Sequence, residues 1–343
     1  MSVRLRVDGG AWRTHLRTVA QQAPGLVPVA KGNGYGYGLG LLAAEAQRLG
    51  VDSLAVGTLP EVAAVRDAFQ GSIVVLQPWR PFEPGAHELL ADPRVIHTVS
   101  RVDDLQAVTA SGHRPRVVLE LLTSMRRHGL SLDDLGQLGP IEGVELVGWT
   151  IHLPMPAATG GNLAEAERLG AAAAAVRRAP LWFSHVTAAE YERLRGTDNR
   201  LRMGTNLWLG AASSRRTSAT VLDVHAVSRG DRIGYWQRPM PADGHVVVLS
   251  GGTAHGVGLE APTSAATARQ RLVSVVSGSM EAVGLAKSPF TIGGKKRWFV
   301  EPPHMQSSLV FLPGSAPAPA VGDEVPVELR LTTATVDEVV LDN

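Results

Sequence analysis

From about Gly25 to Gly210, short apolar runs alternate with amphipathic stretches rich in Ala, Leu and Arg. The apolar runs cover residues 26–30, 53–56, 73–76, 95–99, 117–121, 146–151, 181–185 and 201–209. Most are rich in Val, Ile and Leu without strict alternation, the pattern of strands buried on both faces. Helical stretches follow most of them, at 40–49, 59–69, 85–90, 102–110, 131–138, 161–178 and 188–195. Eight strands with interleaved helices predict an α/β fold, a closed (β/α)8 TIM barrel, with a doubly wound open sheet as the competing arrangement.

After about Ser213 the texture changes. Segments 219–227, 244–250, 271–277, 297–300, 307–312 and 324–331 read as β-strands separated by Gly, Pro and Ser, and no long helix intervenes. The predicted organisation is a barrel over residues 9–215 followed by a β-rich C-terminal domain over 216–343, with residues 1–8 as a strand associated with the latter.

Composition narrows the chemistry. A length of 343 residues suits about two domains. The net charge of +1 argues against a broad footprint for nucleic acid or anionic lipid. Cysteine is absent, which excludes disulfides, zinc–cysteine centres and a Cys nucleophile. No apolar run reaches the ~18 residues of a membrane span. The first ten residues carry charge but no apolar core of a signal peptide, so a cytoplasmic protein is expected. Lysine occurs only at positions 31, 287, 295 and 296, which leaves four candidates for amine chemistry.

One of them stands out. In Pro28-Val-Ala-Lys31-Gly-Asn-Gly-Tyr35-Gly-Tyr-Gly38, a buried strand runs into a lysine, a Gly-rich turn with two tyrosines follows, and then a helix. On a barrel this places Lys31 at the C-terminal mouth of the first strand, where barrel enzymes do their chemistry. The apolar strand desolvates the amine in part, which lowers its pKa and frees it to condense with a carbonyl. The bland alternative is a solvated lysine in a turn.

This segment resembles the cofactor-lysine motif of the alanine racemase family, barrel-type enzymes that use pyridoxal 5′-phosphate (PLP). Four further segments resemble that family in the same order: Val56-Gly-Thr-Leu-Pro-Glu61, Thr123-Ser-Met-Arg-Arg127-His-Gly129, Gly148-Trp-Thr-Ile-His152 and Leu201-Arg202-Met-Gly204-Thr205. The resemblance implies that Lys31 holds PLP and abstracts the α-proton of a small amino-acid substrate. It also implies that Tyr35, Gly204, Thr205 and the Thr187 hydroxyl receive the phosphate, that Arg202 faces the ring nitrogen, and that His152 packs near the ring. Thr187 reads equally as a helix N-cap before Ala188-Ala189-Glu190. Arg127 would lie near the substrate carboxylate, and a charge-assisted pair with Glu120 is expected, with Arg126 as the alternative partner. The family further implies a homodimer whose active site is shared between subunits.

The sequence departs from the family where the second base belongs. The family places a tyrosine in a segment that here reads Ser250-Gly-Gly-Thr253-Ala-His255-Gly256, and none of the chain's four tyrosines lies there. Thr253 is a poor substitute, because an aliphatic hydroxyl is far less acidic than a phenol. His255 has a suitable unperturbed pKa near ~6.5. The family's closing segment, with its Tyr-Glu, has no counterpart after Leu341. A metal held by His255 and His304 is weighed and set aside, since His304 is followed by Met305 and Gln306. Three readings stay open: a racemase with a substitute second base, a one-sided PLP enzyme, and a PLP-binding or regulatory protein without turnover.

Overall fold

The first strand of the chain does not belong with those that follow it. β1 (Val3–Asp8) precedes a helix, α1 (Gly9–Gln22), that the hydrophobic pattern from Gly25 onward had not included. In the computed structural model, which describes residues 2–156, 161–196, 198–259 and 286–342, eight parallel strands then alternate with helices. They are β2 (Leu26–Pro28), α2 (Leu39–Arg48), β3 (Ser53–Val56), α3 (Glu61–Arg66), β4 (Ser72–Pro78), β5 (Val95–Val99), α4 (Val102–Ala110) and β6 (Arg116–Leu121). After these come α5 (Leu132–Gln137), β7 (Glu145–His152), α6 (Leu163–Val176), β8 (Leu181–Ser184), α7 (Ala188–Leu194), β9 (Arg200–Met203) and α8 (Thr205–Leu209).

The parallel order runs β2-β9-β8-β7-β6-β5-β4-β3, and its two ends meet. The meeting is slight: one bridge, Val29 with Ala55, and the Ala30 N–H donating to the Ala55 carbonyl at 2.8 Å. A nearly closed barrel, rather than an open doubly wound sheet, is therefore the fold. Its interior packs Val27, Val29, Ala55, Ile96, Val118 and Trp182 into one buried cluster. Side chains alternate along a strand. Two positions beyond Val29, Val118 and Trp182 stand Lys31, Glu120 and Ser184, on the same inward row at the C-terminal mouth.

Three predicted elements differ. The apolar stretch 201–209 is not one strand: β9 stops at Met203, and Gly204, with φ −117° and ψ −85°, turns the chain into α8. The helix expected at 85–90 is a single 3-10 turn, Glu88–Ala91. The strand expected over 324–331 is regular only over Glu324–Pro326, with an isolated bridge from Val327 to Phe290 beyond it.

The chain divides into one compact unit of residues 13–210 and a second of 1–12 with 211–343. The second unit holds β10 (Arg215–Val227), β11 (Arg232–Ile233), β12 (Arg238–Pro239), β13 (Gly244–Ser250), β14 (Lys287–Ile292), β15 (Lys295–Phe299), β16 (Ser307–Pro313), β17 (Glu324–Pro326) and β18 (Glu338–Asp342). The main sheet runs β14-β15-β16-β13-β10-β1-β18, with β17 also on β10. β1 is antiparallel to β10 and parallel to β18, so the first residues are a sheet strand of this unit. The strand expected at 271–277 lies outside the described residues.

Candidate functional site

Lys31 lies three residues beyond the end of β2, and its turn is held by polar contacts on both sides. The Glu61 carboxylate accepts from the Gly32 N–H at 2.9 Å. The Asn33 carboxamide accepts from the Tyr35 N–H at 3.1 Å, and Tyr35 itself sits at φ 55°, a left-handed conformation for a non-glycine residue. The Lys31 amine is pushed below its ordinary value, first by burial at the strand end and then by the Arg127 and Arg202 charges, with Glu61 opposing. A larger share of free amine near neutral pH follows.

Tyr35 is buried, and its phenol is hydrogen-bonded with Thr205. Burial raises the phenol pKa, so the group stays protonated and can donate. A β-carbon on Gly204 would run into the Tyr35 hydroxyl, so only glycine permits this approach. The Trp208 indole N–H donates to the Val29 carbonyl at 2.9 Å, which fixes α8 against the end of β2.

Opposite stands a polar relay that the sequence reading lacked in one member. The Arg202 guanidinium donates to the Ser184 hydroxyl at 3.4 Å, and Ser184 lies 2.6 Å from Nδ1 of His152. Arginine only donates, so Ser184 accepts from it and gives its own proton to the neutral imidazole. Burial, then the Arg202 and Arg127 charges, push His152 down to about 2. Burial also brings Arg202 down to about 10, still cationic at neutral pH, and its buried Nε has no hydrogen-bond partner. His185, also not singled out from the sequence, sits at φ 59° with its ring edge-on to His152, centroids 5.1 Å apart. The signal for Ser184 was the two-residue step from Trp182; nothing in the sequence pattern marked His185.

The expected Glu120–Arg127 pair does not form. No ion pair within 4 Å joins Glu120 to Arg127 or to Arg126 among the described residues, and the buried Glu120 Oε2 has no partner. The reason lies in the loop. The Leu122 N–H donates to Leu130 and the Leu130 N–H to Glu120, so the intervening residues form a closed excursion with Arg127 on its exposed part. Glu120 remains on the strand. Burial raises its pKa, and Arg202, then Arg127 and Arg80, oppose that.

Thr187 caps α7: its hydroxyl accepts from the Glu190 N–H at 3.2 Å, and Glu190 accepts from the Thr187 N–H at 2.7 Å. The Thr187 side chain also bonds the Glu190 carboxylate, and against burial these bonds hold that carboxyl below its ordinary value. The barrel mouth thus gathers Lys31, Tyr35, His152, Arg202, Gly204 and Thr205, with Arg127 within electrostatic reach of Lys31.

Thr253 and His255 lie in the other unit, in a 3-10 turn. His255 is buried. Its Nδ1 accepts from the Gly252 N–H at 3.2 Å, and its Nε2 meets both Asp337 carboxylate oxygens at 3.2 Å. A backbone donor on Nδ1 leaves Nε2 as the protonated nitrogen. Both nitrogens are occupied, which corrects the expectation of a free base at this position. Thr253 is anchored by its own N–H, which donates to the His304 carbonyl at 2.8 Å.

The family model of the alanine racemase N-terminal domain matches residues 7–211, and the chain belongs to that family. An alanine racemase of Nitratidesulfovibrio vulgaris is 31% identical over 140 residues, which are 40% of this chain and 37% of that protein. The matched stretch therefore spans little more than a third of that curated relative. Among solved structures, the alanine racemase from E. faecalis gives a TM-score of 0.69 at 21% identity, covering 95% of this chain and 88% of that one. The Bartonella henselae alanine racemase with covalently bound pyridoxal phosphate gives 0.70 at 18% identity, covering 97% and 94%. At these identities the structural likeness speaks for the fold.

Proposed function

We propose that the chain holds PLP on Lys31 and exchanges the α-proton of a small amino acid. The observation that carries this reading is the pairing of a pKa-depressed Lys31 amine with a buried, unpartnered Arg202 Nε at one barrel mouth. A donor left without an acceptor in a buried place fits a ligand atom that supplies one. The Tyr35–Gly204 approach forms a polar cradle beside it. The residues present therefore fit the cofactor. PLP, when bound, supplies a conjugated ring that draws electron density from the amino acid's α-carbon.

Every other part of the chemistry falls to the chain. Lys31 would hold PLP, and its free amine would take the α-proton on its own side. Tyr35, the Gly204 and Thr205 backbone and the Thr187 hydroxyl receive the phosphate. Arg202 would lie at the ring nitrogen and offer it donors only, which would keep that nitrogen unprotonated and restrain side reactions. His152 orients Arg202 through Ser184. Arg127 carries the positive charge for the substrate carboxylate. On this reading residues 9–215 are the cofactor-binding domain and 216–343 the β-rich one, in a cytoplasmic homodimer.

Full racemisation needs a second base, with Thr253 standing where the family has tyrosine. A second reading, a PLP-binding member without turnover, is favoured by the bonding of His255, which leaves it no free nitrogen. One experiment separates these. The PLP-loaded protein is incubated with L- or D-amino acids in heavy water, and the α-proton is followed by NMR with chiral analysis. Exchange with retention supports Lys31 acting alone; exchange with inversion supports a second base. No exchange, in a protein whose yellow colour borohydride removes, supports the binding role.

A further inference from the structure

We propose that Glu61 is a positioning residue for Lys31, a latch that closes the barrel at its weakest seam. Its importance for catalysis rests on the reading of Lys31 given above; its geometry does not. β2 and β3 share a single bridge, at Val29 and Ala55, and Lys31 leaves β2 two residues later. At the same height, the Glu61 carboxylate reaches back from the first turn of α3. Oε1 accepts from the Gly32 N–H at 2.9 Å, and Oε2 accepts from the N–H groups of Gly57 at 2.6 Å and Thr58 at 3.3 Å. One side chain thus ties the turn after β2 to the turn after β3.

The two sides of the seam stand close together at Gly57. A β-carbon on Gly57 would stand 3.0 Å from Glu61 Oε2 and 3.1 Å from the Lys31 β-carbon. Charge-assisted bonds to backbone donors are the strong ones, and here they replace the ladder that the seam lacks. The carboxylate also offsets the positive charges of Arg127 and Arg202 on the Lys31 ammonium. His152 and His185, which also face Lys31, are held neutral and add no charge to it. Glu61 therefore sets both where the amine sits and how readily it gives up its proton.

Two substitutions separate the mechanical part from the electrical part. Glu61→Gln keeps the shape but offers an acceptor on one atom only and carries no charge. Glu61→Asp keeps the charge but is one methylene too short to span both turns. Both are measured in the full chain after hydroxylamine has stripped any cofactor, by amide hydrogen exchange and by the pH midpoint of Lys31 acetylation read by mass spectrometry. Exchange at Gly32 or Gly57 rises roughly tenfold or more in both variants, as loss of a charge-assisted bond implies. The acetylation midpoint falls in Glu61→Gln and stays near wild type in Glu61→Asp.

Unchanged exchange and an unchanged midpoint in a folded Glu61→Gln protein overturn the proposal. So does acceleration spread evenly over the whole barrel, which would make Glu61 an ordinary stabilising residue. If Glu61→Gln does not fold, Glu61→Asp decides: faster exchange confined to Gly32 and Gly57 supports the latch, and wild-type exchange there overturns it. Neither readout needs PLP. A chain that never takes the cofactor would fail the heavy-water experiment and still pass this one.

Discussion

The barrel mouth and the turn around His255 are both polar, but they finish their hydrogen bonds differently. At the mouth, Arg202 Nε and Glu120 Oε2 are buried without partners, and Lys31, His152 and Arg202 are all shifted from their ordinary pKa values. In the turn, His255 gives Nδ1 to a backbone N–H and Nε2 to Asp337, and Asp337 in turn accepts from the Val3 N–H at 2.8 Å. Buried polar groups left open are expensive, so they persist where something else completes them. On the proposed function, the mouth is the receptive region and the turn an architectural one.

Removing the amine tests the receptive side most severely. Lys31→Ala is expected to abolish covalent PLP retention and to lower α-proton exchange by at least ~10²–10⁴, the usual range for a proton-transfer group. Absorbance and the NMR exchange assay check it. A variant that keeps exchanging would move the site away from Lys31.

The architectural side should respond in stability instead. His255→Ala strands the Gly252 N–H and is expected to lower unfolding free energy by about 1–3 kcal/mol, with exchange per folded molecule unchanged. Urea denaturation and the exchange assay together decide this. Wild-type stability with lost exchange would return His255 to the role of a base.

Acid should also distinguish the two regions. His152 has an ordinary value of 6.5 and is brought to about 2 in the fold. Below 6.5 the unfolded chain binds a proton that the folded chain refuses. This part of the stability is thus complete above pH 6.5 and is lost as pH falls towards about 2. His152→Asn is expected to flatten the decline of the urea midpoint between pH 7 and pH 5. An identical decline in both proteins would mean that other groups carry the acid sensitivity.

The smallest effect belongs to Thr187→Ala, about 1 kcal/mol for the lost cap of α7. A weaker affinity for PLP beyond that loss would show the hydroxyl serving both helix and phosphate. Unchanged affinity would leave the cap as its whole role.

Much of the barrel was legible because parallel strands buried on both faces read as unbroken apolar runs, as at 53–56 and 95–99. The same rule misled at 201–209, where apolar residues continue through a change from strand to helix and only Gly204 marks the break. α1 carries Trp12 and Leu16 at helical spacing and is capped by Asp8, whose carboxylate accepts from the Ala11 N–H at 2.8 Å, yet it begins with two glycines, poor helix formers. β14 was missed because Pro289 interrupts it, and its register shifts between Lys287 and Thr291 around that residue. In the site, the Lys31 turn was legible from its glycines. Ser184 takes its meaning from partners on other strands, and Glu61 from backbone donors in two separate turns. Glu120 and Arg127 are near in sequence and opposite in charge, but backbone bonds between Leu122, Leu130 and Glu120 keep the pair from forming.

The position of β1 has a consequence for how the chain is made. It lies between β10 and β18, and the Val3 N–H finds its acceptor 334 residues further on. At ~5–20 residues per second on the ribosome, the first strand emerges and then waits on the order of tens of seconds for its second neighbour. The barrel strands, β2 to β9, are all synthesised in between. A nascent chain interrupted near residue 210 would carry a barrel and an orphaned edge. β1 thus finds its full place in the sheet only after both β10 and β18 have been made.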